Sequence, residues 1–111
     1  MLDEISFRHH AEAALEALKQ SLISAEEDGG FEVEEQNGVL NILLEEPPAK
    51  FVITPNTPVR QIWISALSTS FKLDWSDTAQ AFLLPKTAED LKTVTARVIN
   101  THLGTETVVL S

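Results

Sequence analysis

Cysteine is absent from this chain of 111 residues. A disulfide framework, a zinc ribbon, a thiolate-held metal cluster and a cysteine nucleophile are therefore all excluded. Also missing is any uninterrupted apolar run near the ~18 residues that a membrane-spanning helix needs. The opening MLDEIS has neither the basic start nor the apolar stretch of a secretory signal, so a cytoplasmic location is expected. No Gly-x-Ser-x-Gly, phosphate-binding Gly-rich loop or dinucleotide fingerprint is present, and no His stands beside an evident nucleophile. The sequence reads as a non-enzyme.

Positive charge is scarce as well. The chain has 17 acidic and 8 basic residues, for a net charge of −9. The imbalance sits in residues 1–46, where 12 acids (Asp3, Glu4, Glu12, Glu16, Glu26, Glu27, Asp28, Glu32, Glu34, Glu35, Glu45, Glu46) face only Arg8 and Lys19. Residues 47–111 hold the other 5 acids and 6 bases. Such a surface repels nucleic-acid phosphate and anionic lipid, and suits cations or a basic protein partner. Neither nucleic acid nor membrane is expected as a partner.

What remains is ordinary globular composition, 43% hydrophobic and 23% charged, without repeats or linkers, and it reads as one domain over 1–111. From residue 3 to about 26, Phe7, Ala11, Ala14, Leu15, Leu18, Leu22 and Ala25 mark one face of an amphipathic helix. Asp3 is its expected N-cap and Gly29-Gly30 its stop. Asn37-Gly38 then supplies the two positive-φ positions of a type I′ hairpin. A two-residue loop there pairs Phe31 with Leu44, Val33 with Ile42 and Glu35 with Leu40. Phe31, Val33, Leu40, Ile42 and Leu44 should face the core, with Glu32 and Glu34 on the other side.

Further strands are predicted at 50–54, 60–65, 70–75 and 79–84, separated by turns at Pro47-Pro48, Pro55–Pro58, Ser68-Thr69 and Ser76-Asp77. A second helix is predicted from about 88 to 103, with Thr87 as N-cap and Glu89 and Asp90 in its first turn. Leu91, Val94, Val98, Ile99 and His102 or Leu103 form its inner stripe, and Gly104 ends it. Short loops between consecutive strands imply an antiparallel meander. The expected fold is α+β: a two-layer sandwich with both helices on one face of a five- to six-stranded antiparallel sheet.

Two groups of residues stand out. In Arg60-Gln61-Ile62-Trp63-Ile64-Ser65 the period of two sends both isoleucines to the helix side and Gln61, Trp63 and Ser65 to the open side. A tryptophan there either blankets the sheet or anchors a partner. The acids of the first helix and first strand form the second group, whose carboxylates suit weak, multisite binding of Ca²⁺, Mn²⁺ or Fe²⁺. His9, Glu12 and Glu16, at i, i+3 and i+7, could share one ion, though a charge run is more often a solvated face. His10 and His102 read as helix-surface and core-edge residues.

The run Val52-Ile53-Thr54-Pro55-Asn56-Thr57-Pro58-Val59-Arg60-Gln61-Ile62-Trp63-Ile64-Ser65, followed by Phe71-Lys72-Leu73-Asp74-Trp75, resembles the central signature of the frataxin family. Leu2-Asp3-Glu4, Phe7, Ala11-Glu12, Leu15 and Leu18 are similar to that family's first helix, and Gly38-Val39-Leu40 to the strand after its first hairpin. Length places the likeness with the bacterial, CyaY-type branch. The resemblance implies an α–β sandwich and a role in iron–sulfur cluster assembly, with iron (Fe²⁺ or Fe³⁺) bound weakly at several surface positions. By that resemblance the metal-binding residues are Asp3, Glu4, Glu12, Glu16, Glu26, Glu27, Asp28, Glu32 and Glu34. Asn56, Arg60, Gln61, Trp63 and Lys72 would contact the cysteine desulfurase and the cluster scaffold protein. A monomer is implied, with iron-dependent oligomers as a further state. A metal-independent regulator and, third, a ferroxidase or iron store are the alternatives. Lys19–Ser24 departs from the family by lacking acids at the end of the first helix, and Thr54 stands where many members carry asparagine.

Overall fold

Helix α1 (Glu4–Gly29) begins where its sequence supplies a cap. Asp3 is extended, and its carboxylate accepts a hydrogen bond from the Ser6 N–H at 2.7 Å. That bond, more than any other influence, holds the Asp3 carboxyl below its ordinary pKa. Spacings of three and four put Phe7, Ala11, Leu15, Leu18 and Leu22 on one buried stripe. At the far end Gly30, at φ 72°, makes the left-handed reversal into the sheet in a single residue. The computed structural model describes residues 3–45, 48–104 and 108–110; the side chains of residues 27–29 are outside that description.

Seven strands follow in a pure antiparallel meander, each paired with its sequence neighbour. They are β1 (Phe31–Gln36), β2 (Val39–Glu45), β3 (Pro48–Asn56), β4 (Gln61–Ala66), β5 (Thr69–Ser76), β6 (Ala81–Leu84) and β7 (Glu89–Asp90). Helix α2 (Leu91–Leu103) closes the fold. Both helices lie on one face of the sheet. Ile42, Ile53, Ile62, Ile64, Leu73 and Phe82 meet Phe7, Leu18, Leu22, Val94, Val98 and Ile99 in a core where each is at most 2% exposed. The buried hydroxyl of Thr95 is satisfied by donating to the Leu91 carbonyl, 2.7 Å away. No helix among the described residues is long and apolar enough to cross a membrane.

The first hairpin has the expected register: Phe31 opposite Leu44, Val33 opposite Ile42, Glu35 opposite Leu40. Asn37 and Gly38, at φ 54° and 81°, form the type I′ turn. Elsewhere the chain differs from expectation in several places. Strand β6 begins at Ala81 rather than at residue 79, because residues 77–80 form the turn, with Gln80 at positive φ. The β4–β5 turn is Leu67-Ser68 rather than Ser68-Thr69, because Ala66 pairs with Thr69 and leaves two residues, both at positive φ, to close the loop. Pro47 lies outside the described residues, and Pro48 opens β3. A further difference is at the second helix. Ala88 sits at φ 60°, which no helix tolerates, so Glu89 and Asp90 pair with Leu84 and Leu83 as the seventh strand.

Helix α2 therefore starts at Leu91, and Asp90, not Thr87, caps it by accepting the Thr93 N–H at 2.9 Å. Thr87 instead receives the Glu89 N–H and donates its hydroxyl to the Glu89 carboxylate. That carboxylate also takes both arms of the Arg97 guanidinium, at 2.9 and 3.0 Å, and so titrates below its usual range.

Two measurements follow from this corner of the molecule. Asp90→Ala should cost ~1 kcal/mol in urea unfolding, while Thr87→Ala should stay within ~0.5 kcal/mol; the opposite order would return the cap to Thr87. Because the Glu89 pKa is lowered in the folded state, its stabilisation is complete above the ordinary carboxylate value of 4.5 and is lost as pH falls below it. Stability measured from pH 7 downward should accordingly decline less steeply in Glu89→Gln than in the parent.

Candidate functional site

Burial on one side of the sheet decides what the other side displays. With Ile62 and Ile64 fully buried beneath the helices, strand alternation leaves Gln61, Trp63 and Ser65 on the open face. Antiparallel pairing then sets Trp63 between Thr54 on β3 and Lys72 on β5, and Gln61 between Asn56 and Asp74. Trp63 is half-buried, its indole N–H donating to Gln61 Oε1 at 2.8 Å. Gln61 in turn donates from Nε2 to Asp74 at 2.9 Å. The Lys72 ammonium lies 4.7 Å from the Trp63 ring centroid, within cation–π range.

Asn56, Gln61, Trp63 and Lys72 thus share one face. Arg60 does not join them. It adopts a left-handed conformation at φ 55°, donates to the Thr57 carbonyl, and lends its charge to Asp3 at the start of α1.

The acidic residues form a band that wraps around the edge strand. Glu12 and Glu16 are exposed on α1, one turn apart. Glu32 and Glu34 project from β1 on the open side of the sheet, so the two pairs flank the β1 edge from opposite faces. Several of the remaining acids are structural. Asp3 caps α1, and Glu26 accepts the Val33 N–H at 3.2 Å, tying the helix end to β1. Glu4 pairs with Arg8 at 3.3 Å, and Glu16 accepts from Gln20 at 3.1 Å. The Glu27 and Asp28 side chains lie outside the described residues.

His9, Glu12 and Glu16 are not placed to share one ion. Seven residues of helix rise ~10.5 Å, too far for one ion to touch both ends. Among the described residues no three carboxylate or imidazole groups come close enough to cage a metal. Two of the histidines pack on aromatic rings. His10 stacks on Trp75 at 4.0 Å, with the Trp75 indole N–H bonded to Asp77, and His102 packs edge-on to Phe51 at 5.7 Å.

One contact escaped the sequence reading. Glu35 shares the helix side of β1 with Phe31 and Val33, and Lys19 reaches it at 3.0 Å. This hydrogen bond is the main cause of the raised Lys19 pKa. The signal was available: a carboxylate on the helix side needs a cation on α1, and Lys19 is the single lysine before residue 50.

A family profile described as "Frataxin-like domain" matches residues 1–105. An iron–sulfur cluster assembly protein CyaY from Pseudomonas fluorescens (strain Pf0-1) is 26% identical over 105 residues, covering 95% of this chain and 93% of that protein. The protein of the same name from Azotobacter vinelandii is 26% identical over 94 residues, covering 83% and 84%. In fold, the chain is similar to a solved frataxin from Psychromonas ingrahamii, with a TM-score of 0.82, 14% identity and 99% of each chain covered. Matched along nearly its whole length by the family profile, this chain belongs to the frataxin-like family.

Proposed function

We propose that this protein works in iron–sulfur cluster assembly as a non-catalytic, iron-binding regulator that docks on the cysteine desulfurase–scaffold complex. The names of its CyaY relatives support the pathway. One observation carries the iron: Glu12, Glu16, Glu32 and Glu34 are exposed on two sides of one edge, in the segment that holds most of the chain's acids. Carboxylate oxygens are the ligands that hard and borderline cations prefer. Spread along a ridge rather than gathered into a cage, they hold iron weakly, keep it exchangeable and leave it open to solvent. Iron is cargo in this reading and takes no part in a reaction on the protein.

The open sheet face supplies the second contact. A half-buried tryptophan flanked by amide and ammonium groups has the composition of an interface hot spot. In a metal-independent version the acids dock only a basic partner surface, which the acidic excess of residues 1–46 also suits. Anaerobic Fe²⁺ titration separates the two by asking whether the α1 and β1 amide signals broaden.

Replacing Glu12, Glu16, Glu32 and Glu34 together by glutamine should weaken Fe²⁺ binding while leaving the melting temperature equal or higher, since like charges are removed from an exposed surface. Unchanged iron binding in that variant would take the metal off the ridge. Trp63→Ala should weaken binding to the purified desulfurase–scaffold complex by ~2 kcal/mol or more, over tenfold. Its stability cost should stay below the ~2–5 kcal/mol expected of Ile62→Ala or Ile64→Ala, which leave cavities. Thermal melts and titration calorimetry on the three variants check both halves.

A further inference from the structure

We propose that Asp74 is a positioning residue for Trp63, acting through Gln61, in the partner contact put forward above. The chemistry of the three groups gives the relay a single direction. An indole N–H can only donate, and an ionised carboxylate can only accept. A glutamine between them satisfies both in one amide orientation, oxygen toward the indole and nitrogen toward the carboxylate, and that orientation is the one found. With Asp74 in place the amide cannot turn over without setting oxygen against oxygen. Removing the carboxylate frees the amide to rotate, and Trp63 loses a fixed acceptor.

The pairing registers make the geometry rigid. Gln61 stands directly opposite Asp74 and Trp63 directly opposite Lys72, so relay and ring are held by successive same-face pairs of one β4–β5 ladder, with Ile62–Leu73 between them on the other face. The Lys72 ammonium over the ring holds the indole from a second direction. The side chain that a partner would meet is therefore already ordered, with its N–H engaged inside the protein. Ordering a rotamer-rich side chain on binding carries an entropic cost, and the relay meets that cost during folding instead.

Asp74 is exposed, so its replacement leaves the core untouched. In ¹⁵N-labelled protein the indole signals of Trp63 and Trp75 report on the relay directly. Trp75, bonded to Asp77, serves as the internal control. Asp74→Ala should speed hydrogen exchange of the Trp63 indole N–H and leave that of Trp75 unchanged. Asp74→Asn should restore the parental signal, because its amide oxygen accepts the same Gln61 N–H. Affinity for the purified desulfurase–scaffold complex should fall about three- to tenfold in Asp74→Ala and recover in Asp74→Asn.

An unchanged Trp63 indole in Asp74→Ala, or an unchanged affinity, overturns the proposal. So does an Asn variant that binds as weakly as the Ala variant, since the carboxylate would then be touching the partner itself. Should the parent fail to bind the complex, the docking reading falls, and the indole signals alone still decide whether Asp74 positions Trp63.

Discussion

Covering a sheet on one face only imposes a strict rule on every strand: apolar residues must occupy every second position, all on the same side. In this molecule two helices supply the cover, and the rule holds from Phe31 on β1 to Phe82 on β6, save at Glu35, where Lys19 on α1 pairs with the carboxylate. A slip of one residue in any strand would exchange its buried and open sets together. Trp63 is held outward by the same condition. Ile62 and Ile64, on either side of it, are wholly buried, and they cannot stay so unless the indole faces away from the helices. The position of the candidate anchor is thus a by-product of core packing, which is the most stable part of the fold.

Where local chemistry and packing agree, the sequence was readable. Asn37-Gly38 fixes both the turn and, through it, every pair in the first hairpin. The stripe on α1 and the cap at Asp3 are likewise local. Disagreement arose where tertiary pairing overrode a plausible local signal. Thr87, Glu89 and Asp90 look like a helix start, but pairing of Glu89 with Leu84 draws the backbone into the sheet and moves the start to Leu91. Leu67-Ser68 carries no glycine to advertise its positive-φ turn, and only the β4–β5 register reveals it.

The site divides in the same way. Period two was enough to find the face bearing Gln61 and Trp63, because both lie within a regular strand. Arg60, one residue earlier, falls outside that face because alternation already assigns it to the other side, and its left-handed backbone leaves it donating to the Thr57 carbonyl. Among the acids, charge and exposure could be read from composition, but the tasks of particular carboxylates could not. Glu26 and Glu35 each bond to a group elsewhere in the fold, and these fixed roles separate them from Glu12, Glu32 and Glu34; the cap at Asp3 is local and was legible. A patch that looks uniform in sequence is part scaffold and part displayed surface.

The clasp from Glu26 to Val33 bears on what the β1 edge offers to another chain. In a seven-stranded meander only the first and last strands have an unpaired rim, and such rims recruit other chains. At one end β7 is two residues long, too short to template an incoming strand. At the other, β1 is six residues long, and its outward Val33 N–H is already taken by a carboxylate of the same chain. Glu32 and Glu34 stand beside it, where a second copy aligned against β1 would bring like charges together. The carboxylates along this edge therefore set like charge against an approaching copy of β1, in addition to the one N–H already engaged.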